Sequence, residues 1–210
     1  MLPLPPYGFL VILWALFGIT HSLFAALWWK RRMQTLLGRH YPYYRLSYSL
    51  FSLALLIVII VYELGLPANW LWQPSLGAQM VAAIPAITGL LIMGYCIRRY
   101  FFYLSGIDVL LPARPSVGGL ETGGLHRFVR HPLYFGTLLT VWSCWFIWPR
   151  LAYGISCVMI TVYTVIGTVW EERKLVKEFG AAYVAYQQRV PMLLPVRKRS
   201  FARRDKGPSV

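Results

Sequence analysis

Charge is what this sequence has least of. Only 13% of its 210 residues are Asp, Glu, Lys or Arg, against about 25% in an ordinary soluble domain. With 58% hydrophobic residues and a mean hydropathy of +0.53, the chain cannot be a soluble globular enzyme or a disordered polymer. Acids are scarcest: 7, against 21 basic residues. Cysteine is nearly absent too. Cys96, Cys144 and Cys157 all sit inside apolar runs, odd in number and not at metal-ligand spacing, so they read as small buried hydrophobes. No basic residue precedes Lys30, so the sequence predicts no signal peptide. Several motifs are missing as well. Gly118-Gly119 and Gly123-Gly124 lack dinucleotide-fingerprint spacing and follow no strand. There is no Walker loop, no nucleophile elbow and no metal-ligand set. Any nucleotide-like cofactor must then be held by membrane helices and loops.

What the chain does have is long apolar runs. A spanning helix needs roughly 20 apolar residues, and five candidates are present: about 8–29, 46–66, 80–97, 133–148 and 151–170. The last two are joined so closely that they predict a tight helical hairpin. The fold class is therefore an all-α integral membrane protein with five transmembrane helices. In that arrangement 20 of the 21 basic residues fall on one side, with Arg150 the exception. The positive-inside rule then puts the N-terminus outside and the C-terminus in the cytoplasm. Trp70, Trp72, Trp145 and Trp148 fall at the outer interface, where tryptophan is enriched. Residues 1–195 read as one domain, with the cofactor-binding half at about 100–195. Residues 196–210 read as a basic, disordered tail suited to anionic lipid headgroups. With no interleaved aromatics beyond Phe201, that tail does not read as a nucleic-acid binder.

Polar residues at membrane depth mark function by default, and the densest run is 121–136. Arg127, Arg130 and His131 crowd the start of the fourth span, and Pro132 suits the first turn of a helix. Free N–H groups there, beside arginines, suit a carboxylate. The ordinary alternative is a positively charged flank and nothing more. Glu171 and Glu172 follow at the expected end of the fifth span, beside Arg173 and Lys174. Two acids at a helix C-terminus oppose its dipole, so a cationic group should lie nearby, whether a ligand or a bridge to Arg127 or Arg130. Residues 175–190 then predict an amphipathic helix over the inner mouth, with Leu175, Phe179, Tyr183 and Tyr186 at helical spacing. His21 lies roughly 13 Å below Lys30 at 1.5 Å per residue. A hydrogen-bonded packing role is its ordinary reading, and a part in catalysis the alternative. Glu63 falls near the outer end of the second span, and Asp108 in a loop as a solvated acid.

The run Arg130-His131-Pro132-Leu133-Tyr134-Phe135-Gly136 resembles the Arg-His-Pro-x-Tyr-x-Gly motif of the isoprenylcysteine carboxyl methyltransferase family. There a helical hairpin, a Glu-Glu pair, Phe-Gly-x-x-Tyr-x-x-Tyr and Val-Pro follow. Here stand Glu171-Glu172, then Phe179-Gly180 with Tyr183 and Tyr186, then Val190-Pro191, in the same order over about 122–195. Further forward, His21-Ser22, Lys30-Arg31 and Tyr44-Arg45-Leu46-Ser47-Tyr48 look like the front half of NnrU-type proteins, a group that includes bacterial methanethiol S-methyltransferases.

The resemblance implies a membrane methyltransferase using S-adenosylmethionine (SAM) at the cytoplasmic face of a bacterial inner membrane, with no metal. It implies a cofactor pocket including Gly124, Leu125, His126, His131, Pro132, Tyr134, Glu171 and Glu172. Gly123 stands where the family often has Pro, and His126 where it has an aromatic. The residues themselves agree with such a cofactor. Helix-start N–H groups near Arg130 and His131 suit its carboxylate, and Glu171 or Glu172 its ammonium or ribose. Tyr134, Tyr183 and Tyr186 offer ring faces to adenine or sulfonium. The acceptor is expected to be small or lipophilic. A carboxylate would want Arg130 or Arg173. A thiol would want its proton taken by Glu171, Glu172 or His131. The NnrU-like front half favours the thiol. A prenylcysteine-like or lipid-like carboxylate, an NADPH-dependent membrane reductase and a non-catalytic membrane module are the alternatives. The sequence is silent on oligomeric state.

Overall fold

The computed structural model describes residues 6–105 and 119–196, with side chains for all of these but 99–105. Asp108, Arg114 and the basic tail beyond Val196 lie outside the described residues. Among the described residues seven α-helices carry the fold: α1 (Pro6–Ala25), α2 (Leu27–Leu37), α3 (Tyr44–Gly65), α4 (Leu76–Ser105), α5 (Pro132–Ile147), α6 (Leu151–Phe179) and α7 (Ala181–Arg189). No strand occurs among the described residues; Trp70 and Arg150 form one isolated bridge.

The apolar composition is explained by what the helices leave uncovered. Leu76, Met80, Val81, Ile84, Ile87 and Leu91 of α4 are all exposed, as are Leu53, Ile57, Val61 and Leu64 of α3. Stripes this long exceed what a soluble surface tolerates, and they suit lipid. Four segments are long and apolar enough to cross a membrane: Pro6–Ala25, Leu27–Gly65, Leu76–Arg98 and Leu151–Phe179. The fourth expected span, α5, is an apolar helix of 16 residues. At 1.5 Å per residue it covers roughly 24 Å, short of the ~30 Å hydrocarbon core. It packs between α4 and α6 instead. Among the described residues there are thus four spanning candidates and this shorter apolar helix, where the sequence predicts five spans.

Three helix boundaries differ from expectation. The first span does not run through to Trp29: Ala26 is extended (φ −65°, ψ 137°), and a separate α2 begins at Leu27. His21 is thus only about one turn from the end of α1, nearer the helix end than its distance from Lys30 suggested. At the other end α6 continues to Phe179. The acid pair therefore lies inside a helix, not at its C-terminus, and the dipole argument does not apply to it. The amphipathic helix expected over 175–190 is split by Gly180, whose φ of +55° favours glycine. Its first turn belongs to α6 and the rest is α7. The tight hairpin between α5 and α6 is present, with only residues 148–150 between them.

At one end of the bundle Leu10, Leu13, Trp14, Ile59, Leu66 and Ala152 form the core of the α1–α3–α6 contact. Trp14 donates to Ser156 Oγ at 2.9 Å, and Ser156 donates to Glu63. Arg150 Nη2 donates to Leu66 O at 2.8 Å. The tryptophans gather there too, with Trp72 edge-on to Trp145 at 4.9 Å. Between α4 and α5 the backbones nearly touch. A Cβ on Gly89 would lie 2.7 Å from Gly136 O, and one on Gly136 would lie 2.9 Å from Gly89 O. Small residues bring membrane helices together in this way. Pro85 inside α4 is tolerated as membrane helices tolerate proline. Cys96 and Cys157 are buried and Cys144 half-buried, all as free thiols.

Candidate functional site

At the opposite end, α5 starts where His131 (φ −122°, ψ 71°) leaves the extended backbone and Pro132 takes the first turn. The two amides before Pro132 do not stay free. Arg130 N donates to Pro191 O at 2.9 Å and His131 N to Met192 O at 3.2 Å. The segment after α7 is thereby stitched to the mouth of α5.

The side chains of Arg130 and His131 converge on one carboxylate. Arg130 Nε donates to Glu172 Oε1 at 2.8 Å and Nη2 to Oε2 at 2.7 Å, a bidentate pair. His131 Nε2 lies 2.7 Å from Oε1, and Tyr183 donates to the same oxygen at 2.6 Å. Gln187 Nε2 donates to Oε2. Arg130 Nη1 turns to Gln187 O at 3.2 Å and to Val190 O. Buried charges persist when paired and hydrogen-bonded, and here both members of the pair are fully engaged. The bridge between Arg130 and the acid pair, weighed from sequence, is thus present; Arg127 is exposed.

The neighbouring acid differs. The Glu171 side chain is 42% exposed where that of Glu172 is 10% exposed. Glu171 Oε2 accepts from Tyr134 at 2.9 Å and lies 3.7 Å from His131 Nδ1. The His131 and Tyr134 rings stack at 5.7 Å. Adjacent residues on a helix point about 100° apart, so one acid faces inward to the clamp and the other outward. Arg173 is exposed on α6.

Tyr183 is 1% exposed and packs with Tyr186 and Val190 against Leu120, Leu175, Val176 and Phe179. Tyr186 donates to His126 O at 2.6 Å. Burial pushes both phenols up, Tyr186 to about 12, and the hydrogen bond to Glu172 adds to the rise at Tyr183. Both therefore stay protonated donors. Neither ring offers the open face expected for an adenine or sulfonium; they hold the clamp together.

Beside the clamp lies a small open cleft, lined by Tyr95 and Cys96 of α4, by Glu121, Gly123, Gly124, Leu125 and His126, and by Pro132. Gly124 has φ +53° and opens a short 3-10 turn, Gly124–Arg127. His126 Nδ1 donates to Arg130 O at 3.0 Å, which ties that turn to the clamp. Four sequence-predicted residues, Gly124, Leu125, His126 and Pro132, thus share one cleft. His131, Glu171 and Tyr134 sit together beyond Pro132. Tyr95, Cys96 and Gln187 were missed by sequence reasoning, and no motif marks them. Glu121 stands at the start of the polar run 121–136. Its signal was its rarity, as one of 7 acids beside two glycines. Among the described residues no cluster of metal-binding side chains occurs.

The protein-family model described as "NnrU protein" matches residues 9–197. A methanethiol S-methyltransferase of Pseudomonas deceptionensis is 31% identical, over 93% of this chain and 75% of its own length. Methanethiol S-methyltransferase 2 of Bradyrhizobium diazoefficiens is 30% identical, over 92% of this chain and 74% of its own. The human protein-S-isoprenylcysteine O-methyltransferase is 30% identical over 52% of this chain and 41% of its own. No solved structure matches.

Proposed function

The chain belongs to the NnrU family, and on that premise we propose that it is an integral membrane methyltransferase that uses SAM to methylate a small or lipophilic thiol. Its relatives are named methyltransferases, so an enzyme is the premise and the cofactor and acceptor are the proposal. The half-exposed Glu171, held beside a buried Arg130–His131–Glu172 clamp, carries the reading. A half-exposed carboxylate next to a rigid, charge-balanced frame suits a ligand that bears an ammonium or sulfonium.

The residues fit such a cofactor. Glu171 and Tyr134 would hold its cationic end, and the cleft of Gly124, Leu125, His126 and Pro132 would hold the remainder. When bound, SAM supplies an electrophilic methyl group. Arg130, Glu172, Tyr183 and Tyr186 position that frame and do not touch the ligand. His131 bridges the two acids and fixes the orientation of Tyr134. Methyl transfer is a direct displacement, so the protein's task is alignment and the exclusion of water.

The occupied guanidinium of Arg130 favours a thiol over a carboxylate acceptor. Its hydrogen bonds go to Glu172, Gln187 O and Val190 O, which leaves exposed Arg173, of the two arginines considered, for a carboxylate. The relatives named for a thiol align over more than nine-tenths of this chain, and the prenylcysteine ones over about half. In cells the proposal places the site at the cytoplasmic face of a bacterial inner membrane.

Calorimetric titration of the detergent-solubilised protein with S-adenosylhomocysteine (SAH), with NADPH in parallel, tests it. Saturable SAH binding without NADPH binding is expected. Labelled SAM offered with a panel of thiols and carboxylates should then label the thiols. Binding of NADPH alone would replace the reading with a reductase. Binding of neither would leave a non-catalytic membrane module.

A further inference from the structure

A second polar cluster lies where α1, α3 and α6 meet, and the site above does not use it. His21 Nδ1 is 3.2 Å from the hydroxyl of buried Ser52, and His21 Nε2 is 2.9 Å from the Tyr48 hydroxyl. The imidazole stacks on Phe17 at 5.5 Å and meets Tyr163 edge-on at 6.0 Å. Ser22 hydrogen-bonds Tyr163. Gly18 admits the ring: a Cβ there would lie 3.2 Å from Tyr163 Cδ2. Three helices thus bring a histidine, two serines and two tyrosines together inside an otherwise apolar bundle. An ionisable side chain such as His21 within an apolar helix is costly and marks a functional-site candidate by default.

Tyr134, which lies in the neighbourhood of Tyr48 and Tyr163, donates its hydroxyl to Glu171. His21, Tyr48 and Tyr163 are each only half-buried, so a small molecule can reach them. The lining of Phe17, Tyr48 and Tyr163 suits an apolar sulfur compound, since sulfur packs well against aromatic rings.

Resting on the methyl-transfer reading, we propose that this cluster is the acceptor site for a small apolar thiol, with His21 and Tyr48 removing the thiol proton. A thiol near the reference value of about 8.5 is mostly protonated at neutral pH, and the thiolate is the nucleophile. The other bases considered are engaged. Glu172 and His131 Nε2 are locked in the clamp, and Glu171 accepts from Tyr134. At the cluster the S–H proton passes to the Tyr48 oxygen as the Tyr48 proton passes to His21 Nε2. The S–H electron pair stays on sulfur as the thiolate pair that attacks the donated methyl. The proton held on the imidazolium returns to water after the product leaves. The titratable groups facing His21 are Tyr48 from α3 and Tyr163 from α6. The acid that Tyr134 holds is Glu171.

The test compares wild type with His21→Asn and Tyr48→Phe, using ethanethiol as the probe. SAH binding, read by calorimetry, should stay within about twofold in both variants, which also reports that they are folded. Ethanethiol affinity for the SAH-bound protein should fall at least about fivefold in His21→Asn. Its kcat/KM should fall about 100-fold, within the usual range for losing an acid–base group. The rising limb of the kcat/KM pH profile should disappear with it, which a merely structural role would not cause. Tyr48→Phe should lose about tenfold. Wild-type kcat/KM and an unchanged pH profile in His21→Asn, with SAH still bound, would sink this assignment alone. Wild-type protein that binds no SAH would sink the methyl-transfer reading and this site with it.

Discussion

Glu172 accepts from Arg130, His131, Tyr183 and Gln187, while its neighbour Glu171 remains half exposed. Substituting the two should therefore have different consequences. Glu172→Ala leaves the Arg130 guanidinium buried without a counter-charge, which costs about 3–5 kcal/mol. Thermal unfolding in detergent should show a large drop in midpoint, with loss of SAH binding following from it. Glu171→Gln removes one exposed charge and breaks no buried pair. Its unfolding midpoint should match wild type, while its SAH affinity falls about tenfold or more, roughly 1.4 kcal/mol. Equal SAH affinity in Glu171→Gln and wild type would remove Glu171 from the ligand. The sequence showed that an acid pair matters, because acids are so rare in it. Which acid turns inward depends on the rotation of α6 against α5 and α7, and no local pattern encodes that.

At the scale of elements, the closest helix contact is α4 on α5 at Gly89 and Gly136. A methyl group at Gly136 must push against Gly89 O, Ile92 and Met93, and overpacking of this kind costs about 1–3 kcal/mol. Gly136→Ala should lower the unfolding midpoint. It should also weaken SAH binding, because the cleft beside it is lined by α4 residues Tyr95 and Cys96. A variant with lowered stability and unaltered SAH affinity would separate the cleft from the ligand. Much of the helix layout was legible from apolar runs: the hairpin, the spans and the basic flanks. Boundaries were less so, because an apolar run records where lipid contact ends and not where backbone hydrogen bonding ends. α6 therefore outruns its apolar stretch, and its true stop, Gly180, was visible as a glycine. The break at Ala26 carries no glycine or proline and left no mark. The shortness of α5 was legible, because Pro132 and Pro149 bracket its apolar run.

For the whole molecule, the distribution of charge implies an orientation that chemistry on intact cells can read. Ala68 lies in the connection between α3 and α4, and Gln188 on α7, and both are exposed. A membrane-impermeant maleimide should label Ala68→Cys from outside the inner membrane. Gln188→Cys should react only after that membrane is permeabilised. The reverse pattern would invert the topology and place the site on the outer side. The stitching of Pro191 and Met192 to the amides of Arg130 and His131 bears on how the protein is made. Those carbonyls are synthesised after every apolar helix of the bundle. Every apolar helix can be in the bilayer while they are still inside the ribosome. Biogenesis then has two stages, insertion of an inert bundle and release of a finished enzyme. A nascent chain stalled short of Val190 would be lodged in the membrane and catalytically silent, so a partly translated copy could not use up cofactor.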